Sequence, residues 1–312
     1  MTLVKSETYT QSMPNRRLAA AAVSLVACVC AATLALDAQQ ARQRTMYVSA
    51  LTDAGAPVPD LGPADFIVRE DAATREVLKV EPATEPMQIA LLVDTSQGAR
   101  DDISHIRTAL PAFVKALTTG AVTNEVAIIA IGERPTVFTN YTSSEAELKK
   151  GIDRIWSVQG SGAYLLDAIV EVCQGFKKRG AQRPVIVAIL SEGPELSNRQ
   201  HDQVLDPLRA SGAAFHAITL GRPSTNLSDE TRNRNIVLDE GPRTTGGRRE
   251  ELLTSMALGG KLTQLADELT HQYKLTYARP ESLIPPERVT VASAKTGVIA
   301  RGTLIADVKG RP

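Results

Sequence analysis

Acidic and hydroxyl side chains follow two apolar runs of this 312-residue chain, at the points where the runs end. Asp94 and Ser96 come directly after the run 89–93, and Glu192 comes just after the run 185–190. Carboxylates with nearby hydroxyls are the ligands that a hard divalent cation such as Mg²⁺ prefers. These three residues are therefore candidate metal ligands.

A glycine-bearing loop, Gln-Gly-Ser-Gly-Ala at 159–163, precedes a predicted helix that begins near Tyr164. If the two apolar runs are neighbouring parallel strands, their carboxyl ends open on the same edge of the sheet as this loop. We call the three loops, 94–98, 159–163 and 191–193, the rim. We expect Asp94 and Glu192 to meet there, beside a partner-binding surface formed by the residues Gly98, Ser161 and Ala163.

The elements that position the rim alternate between strands and helices from Met87 onward. The apolar runs predict buried strands at 89–93, 126–131, 185–190 and 214–220, and helical spacing covers 103–117 and 165–176. Such strands, separated by amphipathic helices, indicate a sheet that is covered on both faces. The predicted fold class is therefore α/β, with a doubly wound, mostly parallel, Rossmann-like sheet.

Small β elements are predicted at both ends of this α/β region. Strand patterns within 39–86 indicate a small β module that ends in a linker, and 278–312 is predicted to form a C-terminal β hairpin or tail. The α/β domain is assigned to 87–277. Within it, residues 222–249 are rich in Asn, Asp, Arg, Thr and Gly, which predicts an exposed insertion.

The amino terminus has the pattern of an export signal. Arg16 and Arg17 precede the uncharged run 18–36, and cleavage is expected after Ala38. The same run is long enough for a single membrane anchor, and Cys28 lies in a sequence that resembles a lipoprotein cleavage box. We expect an exported protein, either periplasmic, secreted or envelope-anchored, that contacts the membrane only through this segment if it is retained or lipidated.

Charge and cysteine content exclude several classes of protein. The 35 basic and 35 acidic residues balance, so no overall field favours nucleic acid or an anionic membrane as a partner. Cys173 is the only cysteine beyond the leader, which excludes an intramolecular disulfide, and its apolar surroundings predict a buried residue. His216 lies within an apolar run and is predicted to be a core residue.

From Met87 to about Tyr277 the sequence resembles the von Willebrand factor type A (VWA) domain. The flanks, at 57–71, 245–248 and 272–277, are similar to those of VWFA-related acidobacterial domain proteins, which are exported bacterial proteins. The resemblance implies the VWA form of the doubly wound sheet.

The VWA family builds a metal-ion-dependent adhesion site from Asp-x-Ser-x-Ser, a Thr in a second loop and an Asp in a third. By this resemblance Asp94 and Ser96 match, whereas Gly98 replaces the second Ser, Ala163 aligns with the Thr and Glu192 with the Asp. The resemblance therefore implies a degenerate metal site. In the alternative without metal, Asp94 and Ser96 cap the following helix through local hydrogen bonds.

The expected function is that of a non-enzymatic binding or scaffold protein with an unknown protein partner. The alternatives are a divalent-metal-dependent adhesion protein that uses Mg²⁺ or a similar ion, a metal-dependent enzyme on the same rim, and a purely structural module. Gly160 and Gly162 begin like a dinucleotide-binding loop, but Leu165 stands where the third glycine belongs. The nucleophile elbow of a serine hydrolase, Gly-x-Ser-x-Gly, is absent from the sequence.

Overall fold

The structure, a computed structural model, describes residues 42–221, 228–280, 286 and 288–305. The predicted leader, with Arg16, Arg17 and Cys28, lies outside these residues. No helix in the described part of the chain has both the length and the apolar content needed to cross a membrane.

A six-stranded mixed sheet forms the centre of the molecule. Its strands are β5 (Met87–Val93), β6 (Glu125–Ala130), β7 (Thr136–Thr142), β8 (Arg183–Ser191), β9 (Ala214–Leu220) and β10 (Arg249–Leu252), in the order β10-β9-β8-β5-β6-β7. All neighbours are parallel except β7, which pairs antiparallel with β6 at one edge. The predicted α/β class with a mostly parallel sheet is confirmed.

Helices cover both faces of this sheet. They are α1 (Ile103–Thr118), α2 (Glu145–Asp153), α3 (Leu165–Arg179), α4 (Asp202–Ser211), α5 (Asp229–Thr245) and α6 (Leu258–Thr270). Side chains alternate between the faces along each strand, so Leu91 packs with α1, α2 and α6, and Leu92 packs with α3, α4 and α5. Cys173 and His216 are buried, as the sequence predicts.

The prediction of an exposed insertion at 222–249 is wrong for the described residues of this range. Residues 229–245 form α5, whose Val237 and Leu238 are buried in the core, and β10 then extends the central sheet. The helical period is hidden in the sequence because the buried face of α5 also carries polar residues, among them Asn233 and Arg234. Residues 222–227 lie outside the described part of the chain.

The flanking strands of both ends fold together rather than separately. They are β1 (Arg42–Thr52), β2 (Phe66–Glu70), β3 (Ala73–Arg75), β4 (Val77–Pro82), β11 (Tyr273–Arg279), β12 (Val289–Ser293) and β13 (Val298–Leu304). One sheet has the order β13-β1-β11-β4 and the other β12-β2-β3, and their shared core includes Val48, Val68 and Leu275.

Two predictions about these flanks are corrected. The C-terminal strands do not form a hairpin, because β12 pairs with β2 whereas β13 pairs with β1. The segment that begins at Tyr273, predicted to end the α/β domain, belongs to the flanking sheet as β11, between β1 and β4. The small β elements are therefore tied to each other by pairing between the two ends of the described chain.

Candidate functional site

The rim lies at the carboxyl edge of the central sheet, as expected. Strands β5 and β8 are parallel neighbours, and the backbone N–H of Asp94 continues their ladder by donating to the carbonyl oxygen of Ile189 at 2.9 Å. The loop after β5 and the loop after β8 are therefore held side by side.

Asp94 links these two loops through its carboxylate. One oxygen accepts the backbone N–H of Ser96 at 2.8 Å, and the other accepts that of Ser191 at 3.2 Å. Burial raises the pKa of Asp94, while its hydrogen bonds with Ser96 and Ser191 and the positive charge of Arg234 act in the opposite direction. Asp94 thus closes a local turn and fastens the third loop to the first.

Ser96 does not act as a helix cap. It precedes a 3₁₀ turn at Gln97–Ala99, but its side chain makes no capping hydrogen bond. Its hydroxyl is fully buried and has no hydrogen-bond partner in the described structure. Of the local capping predicted for Asp94 and Ser96, only the Asp94 hydrogen bond is therefore formed.

Gly98 lies directly against the backbone of the third loop. A Cβ atom at this position would stand 2.5 Å from the carbonyl oxygen of Glu192 and 3.2 Å from the Cα of Gly193. The space that a serine side chain would take is thus already filled. Gly98 is a point of close packing between two loops, and an added side chain has no room there.

The second loop is fastened to the third by backbone hydrogen bonds at Ala163. Its N–H donates to Pro194 and its carbonyl accepts from Leu196, each at 2.8 Å. The Ala163 side chain is buried. The hydroxyl of Ser161 donates to the carbonyl of Val158 at 2.8 Å, within its own loop.

Glu192 reaches the rim but turns toward a residue that sequence reasoning missed. Its carboxylate lies 3.4 Å from the guanidinium of Arg234 on α5, and the same guanidinium donates to the carbonyl of Gly193 at 2.9 Å. The loops of Asp94 and Glu192 therefore lie side by side, and the Glu192 carboxylate interacts with a buried cation.

Other polar contacts at this edge also escaped the sequence analysis. The Thr95 hydroxyl accepts the backbone N–H of Gly132 at 3.0 Å, and the Ser191 hydroxyl donates to Asp102 at 2.7 Å. Glu195 is 2% exposed, and burial raises its pKa to about 7. In the sequence, the position of Glu195 three residues after Glu192 is the signal that could have indicated a second carboxylate here.

The hydrogen bond between Ser191 and Asp102 leads to a first prediction. Replacing Ser191 by alanine removes the donor to a partly buried carboxylate, and we expect the free energy of unfolding to fall by about 1 kcal/mol. Urea unfolding measures the change. The matched control is Ser104→Ala on the exposed side of α1, and equal losses in both variants would show that the Ser191 contact contributes nothing specific.

The model of the von Willebrand factor type A domain matches residues 88–244, half of the chain. This match spans the first, second and third rim loops and most of α5. The chain belongs to the VWA family. The search of the curated proteins found no match.

Solved structures of other VWA proteins are similar to this chain at low identity. The zinc-occupied structure of proximal thread matrix protein 1 from the mussel byssus is 16% identical, with 64% of this chain and 50% of that chain covered and a TM-score of 0.49. A von Willebrand factor type A protein from Catenulispora acidiphila is 10% identical, with 85% and 72% covered and a TM-score of 0.46. The match to this protein spans half the length of the mussel protein.

VWA domains commonly bind a divalent metal, but two of the family's ligand positions at this VWA rim lack a side-chain oxygen. Gly98 and Ala163 bring no side-chain oxygen, and both are packed against the third loop. In the described ranges no three His, Cys, Asp or Glu side chains are grouped so as to hold an ion. A guanidinium, that of Arg234, already contacts the Glu192 carboxylate.

Large apolar side chains are exposed around the same edge of the VWA sheet. Trp156 is 62% exposed, and Leu196 is 45% exposed. Leu253 and Met256, which follow β10, are also exposed. The Arg107 guanidinium stacks over the Trp156 ring at 4.3 Å from its centroid, which holds this ring in place at the surface.

Proposed function

We propose that this protein is an exported, non-enzymatic binding or scaffold protein that holds a protein partner at the carboxyl edge of its VWA sheet. VWA domains are generally adhesion and interaction domains. The observation that carries the proposal is the exposure of Trp156, Leu196, Leu253 and Met256 around that edge. Exposed aromatic and large apolar side chains are typical anchors of protein interfaces.

Binding is favoured over catalysis because two of the three carboxylates at the rim are buried. Asp94 and Glu195 are buried, and the Asp94 oxygens already accept backbone N–H groups. A general acid or base must come within hydrogen-bond distance of its substrate. A partner at this edge would touch the exposed apolar side chains and leave Asp94 and Glu195 covered.

Cross-linking at defined positions tests the binding surface. A photoreactive amino acid is placed at Trp156 or Leu253, or, as controls, at the exposed residues Thr119 and Ala121 on the opposite edge of the sheet. In cells that produce the protein naturally, we expect one covalent adduct of the same mass from both rim-side positions. Adducts that form equally from the control positions would contradict the proposal.

Metal-dependent adhesion is the second candidate, favoured by one observation. The buried Ser96 hydroxyl, without a hydrogen-bond partner in the described structure, is the kind of oxygen that an ion or a water would use. Repeating the cross-linking in EDTA separates the two candidates. For a metal-independent surface we expect adduct yields unchanged by EDTA, whereas loss of the adduct would favour the metal-dependent alternative.

Export is supported by the leader alone, with Arg16 and Arg17 ahead of the uncharged run 18–36. Fusing residues 1–45 to an alkaline phosphatase that is active only outside the cytoplasm tests it. We expect active phosphatase from this fusion, and inactive phosphatase from a fusion that lacks residues 16–38. Equal activity from both fusions would contradict export through this segment.

A further inference from the structure

Arg234 places a buried positive charge directly beside the third rim loop. Its side chain extends from the second turn of α5 and is about 4% exposed. The guanidinium donates to the Gly193 carbonyl at 2.9 Å and lies 3.4 Å from the Glu192 carboxylate. The two terminal nitrogens of the guanidinium therefore hold the loop together. One contacts the charged Glu192 carboxylate and the other the neutral Gly193 carbonyl.

The negative charge around this guanidinium comes from three carboxylates on two loops. Besides Glu192, the positive charge of Arg234 also acts on the buried carboxylates of Asp94 and Glu195. In the described residues neither Asp94 nor Glu195 has a salt-bridge partner within 4 Å. Leaving such buried carboxylates without a nearby cation is strongly destabilising.

Other charged groups around Arg234 are one contact further away. Asp102 reaches the cluster through the Ser191 hydroxyl, and the ring of His201 lies 3.0 Å from Asn233, the residue before Arg234. Asp229 and Arg232, on the same helix, are exposed and lie 3.9 Å from each other. Arg234 is therefore a buried cation in direct contact with the third loop.

We propose that Arg234 takes the place of the divalent cation at this VWA rim and holds its loops together without metal. The space beside Gly98 is filled by the third loop and Ala163 has no side-chain oxygen, whereas the guanidinium supplies positive charge from the side of α5. This role does not depend on the identity or the existence of the proposed partner.

Thermal unfolding of the purified protein and of Arg234→Met, at pH 8 and at pH 4, tests the proposal. At pH 8 we expect the melting temperature of Arg234→Met to lie about 10 °C below that of the unchanged protein. At pH 4 we expect this difference to shrink to less than half, because Glu195 is then protonated and fewer negative charges need a cation. The control, Arg209→Met, removes a half-exposed ion pair between α4 and α5 and should shift the melting temperature by less than about 2 °C.

Arg234→Lys distinguishes a role of the charge from a role of the side-chain packing. It is also the variant to measure if Arg234→Met does not fold. Lysine keeps the charge, so at pH 8 its melting temperature should stay closer to the unchanged protein than to the methionine variant. An Arg234→Met deficit of the same size at both pH values, or a lysine variant as unstable as the methionine variant, would show a packing role and overturn the proposal. A rise of more than about 2 °C for the unchanged protein in 10 mM MgCl₂ over EDTA would also overturn it.

Discussion

Gly98→Ser, which restores the Asp-x-Ser-x-Ser pattern of the family, is expected to destabilise the domain by about 3 kcal/mol and to create no metal site. The added Cβ would stand 2.5 Å from the carbonyl oxygen of Glu192, closer than any ordinary contact. Since that oxygen belongs to the backbone of the third loop, the loop must move, and it is fastened by Asp94 and Arg234. Urea unfolding measures the loss of stability.

The control for this variant is Gly120→Ser. Nothing lies within 4 Å of a Cβ at Gly120, in the turn after α1, so the same chemical change should alter the free energy of unfolding by less than about 0.5 kcal/mol. If Gly98→Ser is as stable as Gly120→Ser and binds Mg²⁺, the third loop is not fixed against Gly98 and our description of the rim is wrong.

Glu195→Gln is expected to stabilise the protein at pH 8 and to leave its stability at pH 4 unchanged. Burial raises the pKa of Glu195 from 4.5 to about 7. Between these values the unfolded chain loses the proton while the folded chain keeps it, so the stability that Glu195 contributes falls as the pH rises from 4.5 to 7. This difference in pKa corresponds to about 3 kcal/mol in the free energy of unfolding at pH 8, which is the largest gain that glutamine can bring.

Glutamine keeps the oxygen that accepts the Ser197 N–H and removes the ionisation. Other groups also titrate in this range: burial lowers the pKa of His216 to about 4, and its stability contribution is lost as the pH falls from 6.5 to 4. The measurement is therefore the difference between variant and unchanged protein in urea at each pH. The exposed Glu171→Gln on α3 is the control, and a gain at pH 8 no larger than that of this control would contradict a raised pKa at Glu195.

The fold and the position of the rim could be predicted because the relevant signals are local. The apolar runs define β5, β6, β8 and β9, and a doubly wound arrangement then places the loops after β5 and β8 side by side. Asp94 directly follows β5, and this position does not depend on which groups its side chain contacts. Its position therefore follows from the strand alone.

The role of Arg234 could not be predicted, because the sequence of α5 shows no regular spacing of apolar residues. The buried side of α5 combines Val237 and Leu238 with Thr231, Asn233 and Arg234, so composition indicates a polar loop. The direction of Glu192 then depends on Arg234, which is 42 residues away in the chain. Pairing of β1 with β13 is similarly non-local, and a pattern within either strand does not identify its partner.

Isothermal titration of residues 43–312, which form one compact unit, with Mg²⁺, Ca²⁺ and Mn²⁺ tests most directly whether the rim works without metal. We expect no saturable binding heat from any of the three ions up to millimolar concentrations, in the unchanged protein and in Asp94→Ala alike. Saturable binding of any of these ions to the unchanged protein, abolished by Asp94→Ala, would contradict it.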